Sequence, residues 1–438
     1  MYIVDDYLDG SITIYQEKTN KMQNKLRQIL NSKIIKNSFW LTILQCVNTV
    51  VPMLTIPYIT RVLGTSEYGN FSTALNWIIY FQVIVEYGFG LTGAKKTAVA
   101  NDHSQVQKIY NNIISSRILL LIFTFIILNM IQIIFKFTLK IYICMLLLFL
   151  MIIGTSIQLT WLFQGKQDMK FITFVNTFSR IVSVIFTFLF VKRASDIYIY
   201  CIFYSFTILL SSLVSIFIAH KKYRLKFDFS SIRNIKNELH EGKYLFFSSA
   251  MSKIFSGFGV TILGIFSTSS MVGIYSAIYK IPYILTMFFS PISQSFFPFI
   301  SKEFSNSYTN GIKKIKQVCV PVFCLFVFFS ICIILFRKTL IFILFGEEYL
   351  EYSIIVIPMI CQFIFAMINN FLGVQYLVAN NQQSLYSKAF FVGCLGIVIS
   401  NLILCSFFGI YGVSVASFVG EFILTLSLVY EIRRDFKL

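Results

Sequence analysis

Apolar residues in this chain come in long, nearly unbroken windows separated by short polar connections. A helix crosses a bilayer with about 20 mostly apolar residues, because the hydrocarbon core is about 30 Å thick and each residue rises about 1.5 Å. Twelve windows meet that requirement: 39–62, 69–92, 113–135, 141–163, 171–191, 197–219, 244–267, 271–297, 317–336, 352–378, 389–408 and 411–430. The pattern predicts an all-α polytopic membrane protein with twelve transmembrane helices. The first window holds an anomaly, VPMLTIPYIT, with Pro52 and Pro57 five residues apart. An interior proline removes a backbone hydrogen bond and costs about 3 kcal/mol in a helix. At membrane depth that loss is tolerated only where the freed groups meet protein or water. Gln45, Asn48, Pro52 and Thr55 also share one face, which predicts a bent helix bordering a cavity, with the prolines as a hinge. Window 271–297 repeats the device with Pro282 and Pro291, and Pro298 follows just beyond it.

The longest connection is His220–Lys243, which divides the chain into an N-terminal tail (1–38), a first six-helix lobe (39–219), an inter-lobe loop (220–243) and a second six-helix lobe with a short tail (244–438). Six crossings per lobe bring both lobes in from the same side, so any symmetry between them runs along the membrane normal. A faint repeat agrees. Gly69-x-Phe71-Ser72 opens the second window of the first lobe, and Gly273-x-Tyr275-Ser276 opens the second window of the other. The tail is no signal peptide, since MYIVDDYLDGSI lacks a basic lead into a short apolar core. Met22 opens a short basic approach to the first window, so translation is expected to start at Met22 or residues 1–21 to form a disordered tail.

Composition sharpens the class. The chain is 57% hydrophobic and 13% charged, far outside the range of soluble domains. Of its 37 Lys and Arg, 27 fall on the side of the N-terminus and 6 in the opposite loops. The positive-inside rule therefore places both termini in the cytoplasm. The net charge of +18 lies mostly in short loops that would meet anionic lipid headgroups, which argues against nucleic-acid binding. The nine cysteines lie in or at the edge of apolar windows without a CxxC pair, and His103, His220 and His240 share no metal-ligand spacing. No P-loop, GxSxG or dinucleotide fingerprint occurs, so neither an enzyme, nor a cofactor, nor transport powered by this chain's own ATP hydrolysis is indicated.

Five charges sit deep in the windows. Arg180, Lys253 and Lys280 each lie nine residues in, Glu421 ten and Glu86 seventeen. Nine residues at about 1.5 Å is roughly 13 Å, near the midplane. A charge there costs about 2.5–3.5 kcal/mol on insertion scales if it faces lipid, so these groups face protein or water. Three cations against two anions leave at least one cation without a carboxylate, which points to a hydrated, net-positive cavity. Around Arg180, the residues Thr173, Asn176, Thr177, Ser183 and Thr187 extend one polar stripe, whose plainer reading is hydrogen bonding between helices. Arg61 ends its window and can snorkel to the interface; it joins the substrate-facing cation set with Arg180, Lys253 and Lys280.

Four stretches carry a resemblance: PMLTIPYITRVLGTSEYGNFSTA followed by EYGFGLTGAKKTA, WLFQGKQDMKFITFVNTFSR, SPISQSFFPFISK, and LFGEEYLEYSIIVIPMI. Taken in this order they resemble the Wzx-type polysaccharide flippases of the multidrug/oligosaccharidyl-lipid/polysaccharide exporter superfamily, over essentially residues 37–434. The resemblance implies two six-helix lobes around a central cavity. It implies alternating access that carries an undecaprenyl-diphosphate-linked oligosaccharide, for O-antigen or capsule, across a bacterial cytoplasmic membrane. It brings membrane lipids, a polysaccharide polymerase and a chain-length regulator as partners, and H+ or Na+ as coupling ion. Glu86 and Glu421 are then coupling or salt-bridge residues. Two alternatives stay open: a multidrug or lipid II transporter of the same superfamily, and, in another class, a membrane-embedded polymerase or acyltransferase.

Overall fold

Long apolar windows become long helices. The computed structural model describes residues 33–435, so the Met22 question and the N-terminal tail up to residue 32 lie outside the described residues. Seven α-helices form the first half: α1 (Lys33–Glu86), α2 (Phe89–Val99), α3 (His103–Phe135), α4 (Leu139–Ile157), α5 (Thr160–Gly165), α6 (Met169–Phe190) and α7 (Ile197–Tyr223). The second half holds α8 (Ile232–Phe266), α9 (Ser269–Ile278), α10 (Lys280–Asn306), α11 (Tyr308–Leu335), α12 (Arg337–Leu344), α13 (Val356–Asn369) and α14 (Gln383–Asp435), with a π-helical segment, Asn370–Val378, between the last two.

Among the described residues, ten continuous helical stretches are long and apolar enough to cross a bilayer. Two of them, Phe39–Val99 with 61 residues and Gln383–Arg434 with 52, far exceed one crossing of about 30 Å. Each is divided by a glycine in a conformation that L side chains avoid: Gly64 (φ 70°, ψ 176°) and Gly409 (φ 53°, ψ −127°). The chain reverses at both. In α14, Ser400 Oγ donates to the Ala416 carbonyl, and Gly396 lies against Ile423, an antiparallel register centred on Gly409. In α1, Trp40 accepts from Thr173 near the start of α6, and Gln82 meets Thr155 near the end of α4. Tyr58 and Phe71 lie at the opposite end, against Val191 and Tyr200. We call the side of Trp40 and Gln82 the near face, and that of Gly64 the far face.

Pro52 and Pro57 lie inside α1, and the helical dihedrals are lost only at Gly64. Pro282 sits in the first turn of α10, just after the junction with α9. Pro291 and Pro298 lie within that helix. Tyr279, between α9 and α10, keeps helical dihedrals, and the bond lost there is the one Pro282 cannot donate to the Ile278 carbonyl.

The 24-residue connection is also shorter than its polarity suggests. α8 starts at Ile232, capped by Ser231, so only 224–231 are non-helical. The amides of Lys226, Asp228 and Ser230 donate to Gln107 Oε1 (3.1 Å), Asn111 Oδ1 (3.3 Å) and Ser115 Oγ (2.9 Å). Alternate residues of an extended segment thus meet every fourth residue of α3, since each step spans about 6 Å in both geometries. Lys96 adds ion pairs to Glu238 (2.7 Å) and Glu241 (2.8 Å) at the base of α8.

Candidate functional site

The mid-span cations stand without acids. Among the described residues none of Arg180, Lys253 and Lys280 forms an ion pair. Arg180, half-buried on α6, donates from Nη1 to Asn48 Oδ1 at 2.7 Å, with a longer 3.4 Å contact to the Asn48 carbonyl. That carbonyl is the one whose helical partner would have been the N–H of residue 52, which proline lacks. Pro52 thus frees an acceptor that Arg180 approaches, giving the first proline a local reason. Lys280 opens α10 just after Tyr279, its ammonium 5.7 Å from the centre of the Tyr283 ring. Lys253 is exposed on α8. Arg61 stands apart on the far face, exposed, and donates to the carbonyls of Phe342 and Ile343 at the end of α12.

The polar stripe beside Arg180 belongs mostly to helix packing. Thr173 bonds to the Trp40 carbonyl, Asn176 accepts from Ser211, and Ser183 donates to the Phe203 carbonyl, tying α6 to α1 and α7.

The two acids have separate settings. Glu86 Oε2 pairs with Arg117 Nη2 at 2.9 Å, and Arg117 also donates to the Gln158 carbonyl at 2.7 Å. Arg117 is 1% exposed and Glu86 39%. The sequence-based set does not contain Arg117, because only four residues of its apolar window precede it and it reads as a flanking charge. α3 in fact begins at His103, fourteen residues earlier, which is about 21 Å of helix. Losing one partner of a buried pair typically costs 3–5 kcal/mol because the other charge is left uncompensated. Glu86→Gln is expected to lower the thermal unfolding temperature of the purified protein, and a second change, Arg117→Met, to restore most of the loss. An unchanged Glu86→Gln melting curve would show that the pair is not structural. Glu421, 7% exposed, has no basic partner among the described residues; it accepts from Asn369 Nδ2 at 2.8 Å, and Thr425 donates to the same Asn369.

On the far face the two halves touch backbone to backbone. A Cβ on Gly69 would lie 1.6 Å from the Ser269 carbonyl oxygen, and one on Gly273 would lie 1.9 Å from that of Thr65. The repeated Gly-x-aromatic-Ser motif is the contact itself: the glycines of its two copies face each other. Ser269 donates to Asn70 Oδ1 (2.6 Å) and Ser270 to Thr65 Oγ1 (2.8 Å) across the junction. Deeper in, Asn76 donates to Thr261 Oγ1 (2.7 Å) and Tyr80 shares the same hydroxyl. With Arg61 on the end of α12, the far face is closed.

A multi-pass helical bundle with unpaired mid-span cations, closed by two related motifs at one face, defines a membrane transporter. The chain belongs to the polysaccharide biosynthesis protein family, whose pattern it matches over residues 34–304. It is 27% identical over 403 residues to a "Putative O-antigen transporter" of Escherichia coli (strain K12), covering 91% of this chain and 97% of that one. Its fold is similar to that of the lipid II flippase MurJ in an inward closed conformation (TM-score 0.70, 14% identity, 91% of this chain and 87% of that one). It is similar as well to an inward-facing multidrug resistance transporter of the MATE family (TM-score 0.69, 12% identity, 88% and 94%).

Proposed function

We propose that this protein flips undecaprenyl-diphosphate-linked oligosaccharide units, for O-antigen or a related surface polysaccharide, across the bacterial cytoplasmic membrane. It is a flippase of polysaccharide units, and the family match with the O-antigen transporter relative supports that reading. The structural observation that carries it is the absence, among the described residues, of acid partners for Arg180, Lys253 and Lys280. A sugar head on a diphosphate cannot cross about 30 Å of hydrocarbon unaided, since its charges would lose their hydration. Cations left free at mid-span supply charge-assisted hydrogen bonds to such a group. Guanidinium and ammonium groups held open in this way disfavour cationic drugs as cargo.

The near face is the cytoplasmic one, where the basic loops lie, and both termini are there. With the far face closed, the substrate enters from the cytoplasm, and the cycle then parts the Gly69–Gly273 contact. No step makes or breaks a covalent bond, so the protein is not an enzyme. Glu421, buried without a cation, is the coupling candidate for H+ or Na+; Glu86 is a salt-bridge residue.

The deciding experiment is complementation of a strain lacking its polysaccharide flippase, scored by surface glycan and by lipid-linked intermediate. Restored glycan with cleared intermediate is expected. No rescue by a well-expressed protein, with the intermediate still accumulating, would remove the reading.

A further inference from the structure

A cavity of about 440 Å³ opens in the second half between α10 and the helix formed by α13 and its π-helical continuation. It falls within the range of roughly 300–1,000 Å³ typical of small-molecule sites. Three of its lining groups, Thr286, Ser290 and Gln294, recur every fourth residue along α10 and so form one polar row. Thr286 and Gln294 are exposed, and Gln294 Nε2 donates to Ser290 Oγ at 3.0 Å. Facing them, Asn370 and Gln375 come from the π-helical segment, a local widening of the helix that occurs often at functional sites.

Gln375 supplies the independent sign of a ligand. It is 0% exposed, and its Nε2 donates to the Ser293 carbonyl (2.8 Å) and Oγ (3.0 Å). Ser293 in turn donates to Asn370 Oδ1 (2.6 Å). These bonds fix the amide so that its nitrogen is engaged, while its oxygen has no partner. A buried acceptor left unmatched costs about 1–3 kcal/mol, which a donor from a ligand in the cavity would offset.

The chemistry of the walls narrows the occupant. Aromatic rings from Phe289, Phe297 and Phe363 line the same space, and no charged side chain does. Without a cation the cavity suits no diphosphate. An acyl chain would leave the Gln375 oxygen unmatched and would make no polar contact with the exposed Gln294 amide. A sugar ring answers both features, with hydroxyls for the amides and C–H faces for the rings. We propose that this cavity is a sugar subsite, receiving a neutral saccharide of the lipid-linked substrate while the cations at Arg180 and Lys280 hold its anionic linkage. This rests on the flippase reading above.

The test places benzoylphenylalanine, whose photoproduct attacks C–H bonds, at position 297 on α10 or, independently, at position 374 on the facing helix. The full-length protein is irradiated in cells making their polysaccharide, and adducts are read by mass spectrometry. Sugar-bearing adducts are expected from both positions and should vanish when synthesis of the lipid-linked intermediate is blocked. Gln375→Leu is expected to lower them about tenfold, with Gln294→Leu as the second variant should the first fail to fold. Adducts carrying only phospholipid, or no adducts while a probe at exposed position 299 labels lipid, would overturn the subsite. If the unsubstituted protein rescues the flippase-null strain in those circumstances, the flippase reading stands and the subsite alone falls.

Discussion

Gly273→Leu is expected to abolish surface polysaccharide in a complemented flippase-null strain while leaving the amount of inserted protein normal. The reason is steric. The first added carbon would lie 1.9 Å from the Thr65 carbonyl oxygen, and that oxygen belongs to backbone that cannot swing aside. The facing glycine has no slack either, since a Cβ on Gly69 would meet the Ser269 carbonyl at 1.6 Å. The far-face closure therefore cannot form, whereas an arrangement with the halves parted accommodates the side chain. Overpacking of this kind costs typically 1–3 kcal/mol, which shifts a two-state equilibrium roughly 5- to 150-fold. A cysteine placed at Ser270 reports the change directly. It should react faster with a membrane-impermeant maleimide added from outside when Gly273 is leucine. Unaltered labelling together with normal polysaccharide would mean that the glycine contact is not the gate.

Most of this architecture is legible in the apolar windows, because bilayer thickness imposes a length that composition reveals. Wherever the windows mislead, backbone geometry has replaced the expected cause. The windows 39–62 and 69–92 place a reversal between them, and it comes at Gly64, where the positive φ admits glycine easily, with Pro52 and Pro57 inside the helix before it. The connection 220–243 reads as a loop because it is polar, but a polar helix outside the bilayer is as regular as an apolar one inside it, and α8 starts twelve residues before its apolar window. The widened turn at Asn370–Val378 leaves no trace in periodicity, so Gln375 appears only as one more polar residue in a span.

The site shows the same division. Counting cations against acids in the windows anticipates a net-positive set, and among the described residues Arg180, Lys253 and Lys280 form no ion pair. Which acid pairs with what was not legible, because Arg117 lies in an apolar window so near its start that it passes for a flank. The faint Gly-x-aromatic-Ser repeat proved more informative than its length suggests. The two copies of the motif present the same small residue to each other, and only glycine at both positions lets two backbones approach so closely.

Arg180→Ala is expected to match the gate variant in severity by a different route. In the resting structure Arg180 is held by the Asn48 side chain and no acid, so its charge remains available to an anionic cargo. A hydrogen bond to a charged group contributes about 1.5–3 kcal/mol, which corresponds to roughly a ten- to hundredfold change in an equilibrium. Loss of the guanidinium should therefore reduce surface polysaccharide by about that range and cause the lipid-linked intermediate to accumulate, with thermal stability little changed because no acid is left stranded. Lys253→Ala and Lys280→Ala are expected to act in the same direction. Arg180→Lys should recover only part of the activity, since an ammonium keeps the charge without the planar fork that grips two phosphate oxygens. Gly273→Leu and Arg180→Ala then separate cleanly: the gate variant raises far-face labelling at Ser270, and the cation variant does not. Wild-type polysaccharide in Arg180→Ala and Lys253→Ala alike would show that buried positive charge does not carry the substrate.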